Sequence, residues 1–231
     1  MRIYYEDNEI IVIEKPYGVS SQESNGVSVL SLLGEMGISA FCVHRLDTQT
    51  TGVMVYAKTS KAAALLSSQI SSRDFYKEYL AVCHGTPEKE GEMLDLIYHD
   101  RLKNKSFVVK NKRAGCKDAR LEFWTQGSAK LGEKELSLVK ILLHTGRTHQ
   151  IRVHFAHIKH SLVGDKIYGN GGKLMLHSYL LGFVHPYTYN YIKTFNKDTF
   201  SIEYKQDRSK KYYVKFMWGI YANAPHNFAI K

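Results

Sequence analysis

The chain has 231 residues, with 32 Lys and Arg against 22 Asp and Glu, a formal net charge of +10 and a 44% hydrophobic share. That is enough chain for one self-sufficient core and an ordinary composition for a folded protein, which excludes a low-complexity or disordered chain. The basic balance favours a polyanionic partner, nucleic acid or an anionic surface, and no apolar run approaches the ~20 residues of a membrane span.

Glu9–Glu14 (EIIVIE) reads as a buried strand stopped by Lys15-Pro16 and Gly18. Ser28–Met36 spaces Val29, Leu32, Leu33 and Met36 for a helix ended by Gly37. Gly52–Lys58 (GVMVYAK) reads as a strand, and TSKAAALLSSQIS as a helix capped by Thr59 or Ser60. Lys77–Cys83 is a strand, with Tyr79, Ala81 and Cys83 on one face. Residues 86–92 read as a polar loop, 106–110 and 121–125 as short strands, and Lys134–His144 as the longest strand. After Thr145-Gly146 a helix starts from Thr148, with Ile151, Phe155 and Ile158 facing a core. Strands outnumber helices and arrive in succession, so the fold class is α+β, with a mixed, mostly antiparallel sheet and flanking helices.

Cys42, Cys83 and Cys116 are odd in number, widely spaced and without a CxxC pair, which points to reduced thiols in a cytoplasmic protein. The opening MRIYYEDNEIIVIEK breaks its short apolar run with acids, unlike a secretion signal.

Three stretches carry residues fit for chemistry. HRLDTQTTG (44–52) places Asp47 beside His44 and Arg45 in a loop that feeds a strand. Flanking cations favour a charged carboxylate, which serves either as a nucleophile or base or as half of a structural Arg–Asp pair. LLHTGRTHQIRVHFAH (142–157) carries Arg147, His149, Arg152 and His154 at a strand-to-helix turn. A helix start capped by Thr148 together with these cations would suit an anion, phosphate above all, and Arg152 can reach a carboxylate. His154, His157 and His160 recur at threes, a spacing a metal could use, although no acid or cysteine lies among them. In FYKEYLAVCHG, Tyr79 points with small residues, as a pocket wall or as a half-buried strand tyrosine.

These stretches, with YEDNEIIVIEKPYGV (5–19), VGDKIYG (163–169) and LMLHSYLLGFVHP (174–186), resemble the RluA-type pseudouridine synthases, in order and at suitable spacing. HRLD rather than a glycine before RLD fits the RluA branch better than the RsuA branch. The resemblance implies that family's catalytic fold with a central RNA-binding cleft, and an RNA uridine isomerase that needs no metal or organic cofactor. Asp47 matches the catalytic aspartate, by which the uracil leaves its ribose, rotates and rejoins through C5. Arg152 matches the basic partner of that carboxylate. Tyr79 matches the tyrosine that stacks on the flipped base and transfers protons, and Arg45 the arginine that fills the vacated stack. His44, Arg147 and His149 are expected at the substrate. The RNA, ribosomal or transfer, is the expected partner of a monomer, with 1–231 as one catalytic domain and no S4-type domain before it. Departures include Thr51 where Ser is common, Ser21-Gln22 where His-Pro is common, and a tail that diverges after residue 186. Within that tail DRSKKYYVKFMWGIY interleaves cations and aromatics, as an RNA contact or a closing strand or helix. Rival readings are a non-catalytic RNA-binding protein on the same scaffold and a His-metal hydrolase.

Overall fold

A strand written IIVIEK needs two buried faces, and Ile10–Lys15 (β2) has them. Ile11 and Ile13 enter one apolar cluster and Ile10 and Val12 a second, all four without exposed surface. Its antiparallel neighbour Thr51–Ala57 (β4) divides in the same way, Met54 and Tyr56 to one side, Val53, Val55 and Ala57 to the other. Strands buried on both sides lose the alternation of a half-exposed sheet and read as continuous apolar runs.

The computed structural model describes residues 1–196 and, by backbone alone, the strands Ile202–Gln206 (β12), Tyr212–Phe216 (β13) and Asn227–Ile230 (β14). The remaining strands are β1 (Ile3–Glu6), β3 (Phe41–Cys42), β5 (Tyr76–His84), β6 (Glu90–Asp100), β7 (Lys105–Val109), β8 (Cys116–Leu131), β9 (Lys134–Leu143), β10 (Leu176–Val184) and β11 (Tyr191–Phe195). The described strands join one sheet in the order β1-β2-β4-β10-β5-β9-β8-β14-β13-β12. β3 adds to β4, β11 to β10, and β6 links β8 to β7. Every described pairing is antiparallel except the short parallel contact of β10 with β4. This is the α+β class read from the order of elements.

Helices α1 (Val29–Glu35) and α3 (Gln150–His157) cover one face of the sheet, where Val29, Leu33, Ile151 and Phe155 join Ile11, Met54, Tyr79 and Val139. Helix α2 (Ser60–Ser72) covers the other, packing Ala62 and Leu66 against Val53, Val55 and Phe183. Ser28 caps α1 through a reciprocal pair of bonds with Ser31, and the Thr59 hydroxyl accepts from the Ala62 N–H to start α2. Among the described residues no helix is long and apolar enough to cross a membrane.

Several sequence expectations need correction. Residues 90–92 begin β6 rather than ending a polar loop. The longest strand is β8, with 16 residues, not β9. A register shift between Thr125 and Gly127 lets β8 leave β6 and meet β14, and that break in alternation hid its length. Thr148 does not cap α3. The helix begins after His149, whose backbone is left-handed (φ 56°) and whose side chain makes no capping bond. In the basic aromatic tail, 212–216 is a strand paired on both sides. Its side chains and the rest of 207–221 lie outside the described residues.

Candidate active site

The stretch 44–52 is pinned from several directions. The Ser21 hydroxyl donates to the Leu46 carbonyl (2.8 Å) and accepts from the Leu46 N–H (3.0 Å). Lys15 is wholly buried, and its ammonium donates to the carbonyls of Pro16 (2.9 Å), Val19 (2.7 Å) and Thr48 (3.1 Å). The Gly18 N–H also donates to Thr48 O (2.9 Å), and the Thr50 N–H closes a turn on Asp47 O (2.9 Å). Past the loop, Gly52 has φ +117° and lies so close to β10 that a Cβ would overlap the Ser178 carbonyl. Only glycine lets β4 and β10 pair there. Thr51 Oγ1 shares a 2.7 Å hydrogen bond with His177 Nδ1 across that same junction.

Held this way, the Asp47 side chain keeps 28% of its surface exposed and meets Arg152 from the first turn of α3. Arg152 Nη1 donates to Asp47 Oδ2 at 2.9 Å. The guanidinium is itself clamped from behind by Asp165, with Nε to Oδ2 and Nη2 to Oδ1, both 2.8 Å. Asp165 is fully buried, and its Oδ1 also accepts the N–H groups of Ile167 (2.8 Å) and Tyr168 (3.0 Å). A planar fork bound in two directions has one orientation available, so Asp165 aims Arg152 and Arg152 aims Asp47. The Tyr168 ring lies under the guanidinium, 5.4 Å from ring centre to Cζ. Burial works against the charges of Arg152 and Asp165. Their mutual hydrogen bonds and charges outweigh it, raising the guanidinium and lowering the carboxyl relative to their ordinary values.

Asp47 Oδ1 accepts no hydrogen bond among the described residues. One carboxylate oxygen is therefore anchored and the other unbonded, the arrangement of a nucleophile or base on a rigid arm. Tyr79 is buried in the neighbouring strand, and burial raises its hydroxyl pKa. The nearby Ser178 side chain works the other way, and the Asp47 charge adds to the rise. Tyr79 thus stays protonated and offers an aromatic face and an O–H. Lys15 is lowered to about 8 by burial, against the pull of Asp47.

Of the residues named from sequence, Asp47, Arg152, His149 and Tyr79 converge. His149 Nε2 is 3.7 Å from Asp47 Oδ2, beyond hydrogen-bond reach, while its Nδ1 shares a 3.1 Å bond with the Tyr168 hydroxyl. Its pKa is lowered, first by burial, so it stands neutral near Asp47. Arg45 is exposed and free of hydrogen bonds or ion pairs among the described residues. His44 serves the scaffold instead. Its Nε2 accepts the Val55 N–H (3.2 Å), its ring meets Phe75 edge-on, and burial and the Lys77 charge push it down to about 3. The phosphate cradle expected at the start of α3 does not form as drawn. Arg152 is taken by two carboxylates, and the Gln150 amide oxygen accepts the Arg147 N–H (3.0 Å) and the Thr145 hydroxyl (2.8 Å). Arg147 reaches aside, its Nε donating to Asp118 O at 2.8 Å.

The three spaced histidines do not meet. His154 is wholly buried, His160 Nδ1 is bonded to His84 O (2.8 Å), and no metal-binding group of three or more ligands occurs among the described residues. A cavity of about 530 Å³ lies along β6 and β7, lined by Arg73, Asp95, Asp118 and His157 among others, away from Asp47. Sequence reasoning missed Lys15, Ser21, Asp165 and Tyr168 as site residues. A lysine closing a strand that is otherwise buried, and an acid between Gly164 and Lys166 in VGDKIYG, were the available signals.

Known proteins resemble this chain in sequence and in fold. The profile of the RNA pseudouridylate synthase family matches residues 9–157. An uncharacterized RNA pseudouridine synthase of Aquifex aeolicus is 37% identical, over 80% of this chain and 66% of its own. The ribosomal large subunit pseudouridine synthase D of Xanthomonas campestris is 33% identical, over 80% of this chain and 62% of its own. The tRNA pseudouridine synthase C of Vibrio vulnificus is 30% identical, over 81% and 86%. The chain thus spans less than two thirds of the length of the first two. The structure of human RNA pseudouridylate synthase domain containing 1 superposes with a TM-score of 0.75 at 22% identity, covering 98% of this chain and 89% of that one, and shares its fold.

Proposed function

The chain belongs to the RNA pseudouridylate synthase family, and we propose that it isomerises uridines in structured RNA, ribosomal or transfer, to pseudouridine with Asp47 as the nucleophile. The observation that carries this reading is the chain of two carboxylates on one guanidinium, which leaves Asp47 Oδ1 unbonded among the described residues.

The reaction breaks the bond between the ribose and uracil N1, turns the base, and joins C5 to the ribose, with the C5 proton lost and N1 protonated. A stacked uridine is out of reach of Asp47, so the nucleotide first leaves its stack at a cost of a few kcal/mol. Contacts between the basic protein and phosphates offset that cost, and Arg45, exposed and unengaged, is the residue to occupy the gap. Asp47 Oδ1 then attacks while Arg152 holds Oδ2. Tyr79 stacks on the freed base. Its raised pKa makes it a hydrogen-bond donor at neutral pH and a reluctant base, so stacking is the larger share of its role. His149, neutral and beside Asp47, contacts the substrate edge. The rest of the reading follows: one catalytic domain, acting as a cytoplasmic monomer, without metal or organic cofactor.

The test is direct. Unmodified ribosomal and transfer RNA transcripts are incubated with the protein, digested to nucleosides and separated by chromatography. Pseudouridine in one pool supports the reading and identifies the RNA class. Tight binding with uridine unchanged in both pools would instead favour the non-catalytic RNA-binding protein.

A further inference from the structure

Lys77 lies two residues before Tyr79 on β5, so both side chains leave the same face of the strand. Its ammonium reaches the turn after β9, 3.9 Å from where a Cβ on Gly146 would stand. It makes no hydrogen bond or ion pair among the described residues. Arg147, the next residue in that turn, is held by its backbone N–H on Gln150 and by Nε on Asp118 O, while Nη1 and Nη2 make no bond among the described residues. Two cations thus converge where the turn after β9 meets β5, and among the described residues no carboxylate is paired with either. In the Asp47, Arg152 and Asp165 cluster, by contrast, each guanidinium nitrogen already donates to an acid.

We propose that Lys77 and Arg147 form a phosphate subsite, gripping one phosphodiester of the RNA strand that delivers its nucleotide to Asp47. The inference rests on the RNA-isomerase reading and adds to it a specific backbone contact. The chemistry favours phosphate over a carboxylate ligand. Guanidinium nitrogens bind two oxygens of one tetrahedral group, and a lysine supplies a point charge to a third. A half-buried lysine with an arginine as its charged neighbour is electrostatically unfavourable in the free protein. Burial first, and then the Arg147 charge, lower the Lys77 pKa, and an arriving phosphodiester relieves both.

The experiment is the salt dependence of binding to a fluorescein-labelled, unmodified transfer RNA transcript, for the wild type and for Lys77→Met, Arg147→Met and the double variant. Each lost phosphate contact lowers the slope of log K against log[KCl] by about 0.7 on single-stranded RNA. The proposal expects that loss in each single variant and less than the sum in the double, since both residues serve one phosphate. Lys77→Arg, which keeps the charge, retains the wild-type slope. An unchanged slope in Lys77→Met, or full additivity in the double variant, overturns the shared subsite. A slope lost equally in Lys77→Arg also overturns it, because packing would then be the cause. Binding needs no turnover. Wild type that binds with the expected slopes yet forms no pseudouridine refutes the isomerase reading alone, and wild type that forms it while slopes are unchanged refutes the subsite alone.

Discussion

On the proposed mechanism Arg152 serves both stability and activity, and the two can be separated. Removing one partner of a buried ion pair costs about 3–5 kcal/mol, because it strands the other charge. Arg152→Met leaves Asp165 in that position, so the variant should melt early and lose activity by orders of magnitude. Adding Asp165→Asn removes the stranded charge. The double variant should recover most of the melting temperature and none of the activity, whereas recovery of both would place Arg152 outside the reaction. Lys15 makes a different prediction, in pH. Its ammonium is lowered to about 8, so between there and its ordinary value near 10.5 the unfolded chain binds the proton more tightly. This group's contribution to stability therefore rises with pH across that window. Activity runs the opposite way. A neutral amine has two N–H donors for three carbonyls, the grip on Thr48 O weakens, and turnover should fall as pH passes about 8. In Lys15→Arg, which stays charged, that alkaline fall should vanish even if the rate is lower overall, and a fall unmoved in the variant would remove Lys15 from the account. Neither Lys15 nor Asp165 stood out in the sequence. HRLD and TGRTHQIR show which residues carry charge, but not that the acid behind Arg152 comes from Asp165, 13 residues on, or that a lysine beside Pro16 folds back onto a loop 33 residues away. Such partners are set by tertiary packing, and no local pattern encodes them.

At the scale of elements, the parallel junction of β4 and β10 places the loop. Gly52 is required there twice over, by φ +117° and by the Ser178 carbonyl against it. Gly52→Ala should cost roughly 3 kcal/mol from backbone strain and overlap together, read as a lower melting temperature, with activity reduced even at temperatures where the protein stays folded. A variant with wild-type melting and rate would show that the close approach has no bearing on Asp47. The strands that position the site were legible where burial is two-sided, as in β2, β4 and β5. Legibility failed at β8, whose bulge at Thr125 and Gly127 interrupts the alternation, and at the start of α3, where Thr148 looked like a cap. The helix is started there by His149 in a left-handed turn, and the loop's polar groups are satisfied by Gln150 instead. Composition gives no signal for that exchange.

For the whole molecule, the net charge of +10 and the Asp47, Arg152 and Asp165 cluster divide the work. On the proposed reading surface cations hold the RNA, while the carboxylates of the site are already matched by Arg152 and Lys15. Chemistry run by carboxylate and tyrosine alone should survive chelation, so protein treated with EDTA and assayed in potassium buffer on transcripts folded beforehand should keep its rate. A rate lost and restored by a divalent ion would contradict that. The measurement that tests the central claim most directly is tritium release from RNA labelled at uridine C5, comparing wild type with Asp47→Asn. Asparagine keeps the size of the side chain and removes the nucleophile. The account predicts steady release by the wild type and none by the variant, with RNA affinity and melting temperature nearly unchanged. Release by Asp47→Asn at a rate near that of the wild type would contradict it.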